Sequence, residues 1–320
     1  MEKIKLSQNI GDRLEFPSES SSVQLKSGFA VLIGTPNSGK STLVNQLVGA
    51  KVSIVSRKSQ TTRMMIRGIA TVNDTQIVLV DTPGIFNPHK RFDHAMVDAA
   101  WTGASDADVI ILLVDCTRSV DNEILFIMDK LKEKKIPITL VLNKIDKVND
   151  KQNLLSLVEQ FSSFLQFKHI FMLSALKGDG VNKLLQALAE VMPNGPWYFP
   201  KNEISDLPMR IQAAEITREK IYDRLHQELP YSITVETSSW KTLRNKSVRI
   251  EQTIFVEQES QKKIVIGKNG QSIKAISSQA RFELFNILGK KVHLFLFVKV
   301  CNNWTNDPAR YSELGLKFPK

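Results

Sequence analysis

Residues 34–41, Gly34-Thr35-Pro36-Asn37-Ser38-Gly39-Lys40-Ser41, fit the pattern G-x-x-x-x-G-K-[ST]. Chemistry explains that spelling. Gly34 and Gly39 let the backbone bend so that successive N–H groups face inward and cradle phosphate oxygens. Lys40 is placed to reach β- and γ-phosphates, and the Ser41 hydroxyl to ligate Mg²⁺. An apolar run, Phe29 to Ile33, precedes the loop and reads as a buried strand. Thr42, Leu43, Val44, Leu47 and Val48 follow at helical spacing, so the loop opens a helix whose dipole favours an anion. The plain alternative, a glycine turn with a surface lysine, does not account for strand and helix on either side.

Three further groups of residues acquire meaning from their order after this loop. Asp81-Thr82-Pro83-Gly84 ends the buried run Gln76 to Val80, and a carboxylate at the carboxyl end of a sheet strand is where such folds place ligand groups. Asp81 is a candidate partner of Mg²⁺, and the Gly84 N–H is a candidate partner of the γ-phosphate. Asn143-Lys144-Ile145-Asp146 ends a second buried strand, Ile138 to Leu142. Guanine offers two adjacent donors, and a carboxylate is the matching pair of acceptors, so Asp146 points to a guanine nucleotide. Asn143 is suited to the base edge and neighbouring loops, and the Lys144 stem to a face of the ring. Ser174-Ala175 closes the last strand, where the Ala175 N–H suits the guanine carbonyl. Ile85 follows Gly84, next to where the γ-phosphate is expected. Isoleucine cannot polarise water, so the expected intrinsic turnover is slow.

A separate constellation lies near the C-terminus. Lys262-Lys263-Ile264-Val265-Ile266-Gly267-Lys268-Asn269-Gly270 leads into a helix carrying Ile273, Lys274 and Ile276. A G-x-x-G loop lets backbone approach a sugar-phosphate chain and clamps about four nucleotides. Lys262, Lys263, Lys268, Asn269 and Lys274 are candidate RNA contacts. Ile264, Ile266, Ile273 and Ile276 are candidates for an apolar groove.

These residues require a scaffold. Strands and helices alternate from Phe29 to residue 191, which predicts a doubly wound, mostly parallel α/β unit. Pro193, Gly195, Pro196, Pro200 and Pro208 then suggest a semi-extended connector. A helix over 209–227, strands at 232–237 and 248–257, the G-x-x-G helix and a strand over 291–300 predict a smaller α+β unit. The expected division is an extension over 1–26, the α/β domain over 27–192, a linker over 193–208 and the C-terminal domain over 209–320.

At 320 residues, 42% hydrophobic and 24% charged, the chain has ordinary globular composition. Met1 to Lys26 lacks a signal-peptide core, and its acids argue against an organelle transit peptide. No apolar run is long enough to span a bilayer. Cys116 and Cys301 show no metal or redox spacing, so neither a metal cluster nor a disulfide is expected, and a reducing cytoplasm is the default. The net charge is +10, and residues 201–320 carry 20 Lys/Arg against 13 Asp/Glu, as suits a polyanionic partner.

The combination of the 34–41 loop, Thr61-Thr62-Arg63, Asp81-Thr82-Pro83-Gly84, Asn143-Lys144-Ile145-Asp146, Ser174-Ala175 and the C-terminal G-x-x-G unit resembles the Era family, over roughly residues 27–318. The resemblance implies a P-loop GTPase domain followed by a type II KH domain. It implies GTP/GDP and Mg²⁺ as ligands, with Thr62, favoured over Thr61, completing the Mg²⁺ shell alongside Ser41 and Asp81. Lys40, Thr62 and Gly84 would then serve hydrolysis. Asn37 sits where related GTPases help hold K⁺. Arg63 is expected to face solvent or RNA rather than the phosphates. The resemblance further implies a monomer that binds small-subunit ribosomal RNA near its 3′ end, acts in small ribosomal subunit maturation and associates peripherally with the inner membrane. Two alternatives are another ribosome- or tRNA-associated GTPase and a KH protein with an inactive nucleotide site.

Overall fold

The structure is a computed structural model that describes residues 24–150, 152–225 and 229–319. Nearly all of the extension expected over 1–26, and the end of the helix expected to reach 227, lie outside the described residues. Among these residues the strands form a six-stranded sheet and a three-stranded sheet.

The N-terminal sheet is built from β1 (Lys26–Ile33), β2 (Ile66–Val72), β3 (Thr75–Asp81), β4 (Val109–Asp115), β5 (Ile138–Asn143) and β6 (His169–Leu173), in the order β2-β3-β1-β4-β5-β6. All pairings are parallel except β2 with β3, which are joined by a tight turn. Strands β3, β4 and β5 are buried along their whole length, because helices cover both faces and leave no polar side to alternate. Helices α1 (Lys40–Val48) and α5 (Val181–Val191) pack on one face. Helices α2 (Arg91–Ser105), α3 (Asn122–Lys132) and α4 (Gln152–Phe164) pack on the other. The loops bearing Gly34–Lys40, Asp81–Gly84, Asn143–Asp146 and Ser174-Ala175 all leave the carboxyl ends of strands. That is the edge where open α/β sheets bind ligands.

The proline-rich segment 193–208 is not a free connector. It runs along the N-terminal sheet, where the Trp197 indole donates to the Asp74 carbonyl at 3.0 Å and the Ile69 N–H to the Ile204 carbonyl at 2.9 Å. Gln76 exchanges hydrogen bonds with the Phe199 backbone, and Ser205 donates to the Arg67 carbonyl. Proline density gave the extended shape, but edge groups of the sheet took up its backbone.

The C-terminal unit comprises α6 (Met209–Arg224), β7 (Thr234–Thr242), β8 (Val248–Val256), α7 (Glu259–Ile266), α8 (Gln271–Leu288) and β9 (Val292–Val300). β7 and β8 are antiparallel, β8 and β9 parallel. Residues 262–266, legible in sequence only as an apolar segment, belong to α7, whose start is fixed by reciprocal bonding of Gln258 and Gln261. The G-x-x-G loop therefore joins two helices. The helices cover one face of the small sheet through Ala213, Ile216, Ile276, Ala280 and Leu284, among others. The chain ends with α9 (Pro308–Glu313) and a tail folded back onto α2, with Tyr311 and Leu316 packed among Phe92, Ala95, Met96 and Ala99. Phe92 meets Trp304 and Tyr311 edge-on, at centroid distances of 5.8 and 5.4 Å.

Candidate nucleotide site and its junction with the C-terminal unit

The strand-end loops surround a cleft of about 870 Å³ lined by Pro36, Asn37, Gly39, Lys40, Ser41, Thr42, Thr62, Gly84, Asn143, Lys144, Asp146 and Ala175, among others. Lys40 is buried at its base. Its ammonium donates to the carbonyls of Gly34 and Thr35, both at 3.0 Å. Burial lowers its pKa to about 8, although Asp81 pulls the other way. Three oxygen-bearing side chains meet beside it. The Ser41 hydroxyl donates to Asp81 Oδ2 at 2.7 Å and lies 2.9 Å from the Thr62 hydroxyl, which in turn lies 3.4 Å from Asp81. Burial pushes the Asp81 carboxyl up, against the pull of Ser41 and Lys40. Asp81 Oδ1 is buried without a hydrogen-bond partner. A cluster of hard oxygen donors with one buried lone pair unspent suits Mg²⁺, whose shell is oxygen and water.

The Asp81–Gly84 loop lies directly on the phosphate loop. A Cβ on Gly84 would stand 2.8 Å from the Pro36 backbone, so this approach requires glycine. The Ile85 N–H donates to the Gly34 carbonyl at 3.1 Å. The Ile85 side chain turns away from the cleft: it is 1% exposed and packs into the core beneath the sheet. Its backbone, not its side chain, braces the site. Thr82 donates to the Leu32 carbonyl at 2.6 Å, and Thr35, Ser38 and Pro83 likewise sit in the framework.

At the base end, Asn143 ties three loops together. Its amide donates to the Ser38 carbonyl at 2.8 Å and its oxygen accepts the Ala175 N–H at 2.9 Å, so the N–H expected to meet the guanine carbonyl is instead spent on Asn143. The Ser174 hydroxyl donates to Asp146 at 2.6 Å, orienting the carboxylate. Lys144 takes a left-handed backbone (φ 70°) and its ammonium bridges the Asn37 carbonyl at 2.7 Å and Asp115 at 2.5 Å. Burial raises the pKa of Asp115, but hydrogen bonds from Lys144 and Thr117 outweigh it and hold the carboxyl low. Ile145 packs against the core. Asp115 was missed in the sequence, where only its place at the end of a buried strand marked it.

The segment from Lys51 to Arg63 carries Thr62 into the cleft and is bonded to the C-terminal unit along its length. Lys51 pairs with Glu219 of α6 at 2.6 Å and with Glu283 of α8. Glu219 also accepts the Val55 N–H at 2.9 Å. Its burial alone would raise the Glu219 pKa, but Lys220 and Lys51 hold it low. Lys58 donates to the carbonyls of Tyr222 and Leu225. On either side of Thr62 stands a buried arginine contact. Arg218 of α6, anchored by Glu215, donates to the Thr61 carbonyl at 2.6 Å. Arg63 donates to the Ile233 and Tyr231 carbonyls at 2.7 and 2.9 Å and to the Tyr222 hydroxyl at 3.0 Å. Its guanidinium also lies over the rings of Phe92 and Trp304. The expectation that Arg63 faces solvent or RNA is therefore corrected: at 3% exposure it is a bolt between the two units. The many carbonyls and rings offered by the C-terminal unit are what satisfy it.

In the second site, Gly267 and Gly270 have positive φ, and a Cβ on Gly267 would meet Ser272 at 2.7 Å. Lys263, Lys268, Asn269 and Lys274 are exposed, and Lys262, Ile266 and Ile273 are half-buried. Ile264 is exposed, whereas Ile276 is fully buried in the core and does not line a groove.

Residues 29–144 match the family model described as 50S ribosome-binding GTPase, and residues 228–305 the KH domain model. GTPase Era of Afipia carboxidovorans is 59% identical over 92% of this chain and 95% of its own length. GTPase Era of Mesorhizobium japonicum is 57% identical, over 92% and 94%. Two solved structures superpose with TM-scores of 0.87 at 38% identity, covering 91% of this chain and 99% of theirs. One is Era in complex with MgGDPNP and nucleotides 1506–1542 of 16S ribosomal RNA; the other is a variant of Aquifex aeolicus Era bound to GDP·AlF₄⁻. With a P-loop cleft, a KH unit and relatives of this similarity over nearly its whole length, the chain belongs to the Era family of GTPases.

Proposed function

We propose that the chain binds GTP in the cleft, hydrolyses it slowly, and uses the nucleotide state to control RNA binding by the KH unit. The observation that carries this reading is the position of Thr62, bonded to Ser41 and Asp81 on one side and flanked by contacts to α6 on the other. The proposed domains are residues 27–192 and 209–320, joined by 193–208. The loop N–H groups and Lys40 take the phosphates, Asp146 the guanine edge, and Asn143 and Ala175 the loops around it. Ser41, Thr62 and Asp81 would hold Mg²⁺, which when bound neutralises phosphate charge. Gly84 N–H would meet the γ-phosphate. No side chain at position 85 orients water, which supports slow intrinsic turnover. Asn37 supports K⁺ activation; equal turnover in K⁺ and Na⁺ would remove that part.

The RNA partner is small-subunit ribosomal RNA near its 3′ end, held at Gly267–Gly270 by Lys262, Lys263, Lys268, Asn269 and Lys274, with Ile266 and Ile273 beneath. This assignment is supported by the relative whose solved complex contains 16S nucleotides, and it places the chain in small-subunit maturation. Because residues 51–63 are bonded to α6 and α8, reordering at Thr62 on GTP binding has a physical route to the KH unit. Cytoplasmic residence with peripheral inner-membrane association is included on family resemblance; no helix among the described residues is long and apolar enough to cross a membrane. Flotation with anionic vesicles tests that part. The central test is titration of GTP and GDP with and without a short 3′-end ribosomal RNA. RNA affinity indifferent to the nucleotide would overturn the switch.

A further inference from the structure

The small sheet has two faces, and helices cover only one. On the other, the pairing register aligns Lys241, Arg249 and His293 in one row and Ser239, Glu251 and Phe295 in the next. Glu236, Thr253 and Phe297 form the third row, and Thr234, Phe255 and Lys299 the fourth. Helix α9 covers one end of this face, where Arg310 pairs with Glu236 and lies 4.2 Å above the Phe255 ring. The remainder is open among the described residues. Phe295 is 43% and Phe297 50% exposed, a large apolar area to leave in water on two neighbouring positions.

Cations surround these rings. Arg249 lies 4.7 Å over Phe295 and engages the one acid of that row, Glu251, at 2.7 Å. Lys241 and Lys299 are exposed on the same face, and Lys246 and Lys291 project from the connections at its end. Alternate residues on a strand stand roughly 7 Å apart. Exposed aromatics so spaced on a sheet, fringed by basic side chains, are a platform on which successive unpaired bases stack. The face is also separate from the G-x-x-G loop. That loop starts α8, whose 18 residues span roughly 27 Å before the chain turns into β9. α8 itself packs against the opposite side of the sheet.

We propose that the open face of the β7-β8-β9 sheet is a second single-stranded RNA-binding surface, with Phe295 and Phe297 stacking bases and Lys241, Arg249, Lys291 and Lys299 taking phosphates. Charge decides against a protein partner with an apolar patch, which would have to bury these cations. Shape decides against a lipid surface, because the rings lie in mid-strand rather than at the tip of a loop that can enter a bilayer.

The test uses the full chain and a labelled single-stranded RNA of about 20 nucleotides. Two backgrounds are compared: the natural G-x-x-G loop and Lys268→Asp with Asn269→Asp, which disables it. In the disabled background residual RNA binding is expected, and Phe295→Ala with Phe297→Ala should reduce it at least ~10-fold, given what one stacked base contributes. Replacing Lys241, Lys291 and Lys299 by Gln should flatten the logarithmic salt dependence by about 0.7 for each phosphate no longer neutralised. The Phe variants binding RNA as tightly as their parent would overturn the proposal. So would binding of the open face to phosphatidylglycerol vesicles in place of RNA. Failure of the G-x-x-G reading is distinguishable: in that case the Asp substitutions alone leave affinity unchanged, whatever the Phe variants do.

Discussion

Replacing the Arg218–Glu215 pair removes the hold of the C-terminal unit on the segment that carries Thr62. Arg218 is 2% exposed, pairs with Glu215 and donates to the Thr61 carbonyl at 2.6 Å. Changing Arg218 alone to Met would leave Glu215 buried without its partner, a loss of about 3–5 kcal/mol that reports on stability rather than coupling. Changing both residues to Met replaces a buried ion pair by apolar volume, which is often nearly neutral for folding. What then remains missing is the charge-assisted bond to Thr61, about 1.5–3 kcal/mol. That converts to roughly 10- to 150-fold in an equilibrium. With Thr62 serving the Mg²⁺–GTP state, as proposed above, the affinity for a non-hydrolysable GTP analogue with Mg²⁺ should fall by that factor while GDP affinity holds. Competition with a fluorescent guanine nucleotide measures both. In a cycle with Thr62→Ala, the two changes should be strongly non-additive, because each disables the same interaction. An unchanged preference for the GTP analogue over GDP in the folded double variant would refute the reasoning.

Asp146→Asn exchanges a double acceptor for an amide, so GTP affinity should drop at least ~10-fold, from the loss of a charge-assisted bond, and xanthine nucleotides should gain; competition titration checks it. Lys40 gives a pH dependence. With its free-protein pKa near 8, the ammonium is present below that pH and must be regained on binding phosphate above it. Nucleotide affinity should therefore be flat at neutral pH and fall by up to about tenfold per unit above 8. Calorimetry in buffers of different ionisation enthalpy should show proton uptake at the higher pH. The same depressed pKa means that, in the free protein, this group's destabilising charge is relieved as pH rises from 8 towards 10.5. Ile85→Gln should not accelerate hydrolysis, because the side chain points into the core, and should destabilise by about 1–3 kcal/mol for a buried amide. A thermal melt and single-turnover hydrolysis separate those effects.

The nucleotide cleft was legible because its chemistry is local. Each loop is a short run at the end of an apolar strand, and the backbone conformation it needs is written in its glycines. Asp146, Lys40 and Ser41 could be named from spacing alone. The direction of the Ile85 side chain could not, since it depends on which face of the loop the Gly34 contact leaves towards the core. Residues 262–266 form too short an apolar run to separate strand from helix by periodicity; the Gln258–Gln261 cap decides it. Arg63 and Arg218 were illegible for another reason. Their hydrogen-bond partners in the opposite unit lie more than 150 residues away in the chain, so no local pattern distinguishes a bolt between units from a solvated charge.

The tail that packs on α2 sets an order of events for a newly made chain. The N-terminal unit can fold while the rest is being synthesised, since domains generally form in the order of translation. Trp304, Tyr311 and Leu316 reach Phe92 only after all three strands of the small sheet have been made. A nascent molecule would thus possess its nucleotide loops before it possesses the seam that links them to RNA. A chain that stopped after α5 would carry every guanine-nucleotide motif and yet lack the α6 side chains, Glu219 and Arg218 among them, that hold the segment bearing Thr62.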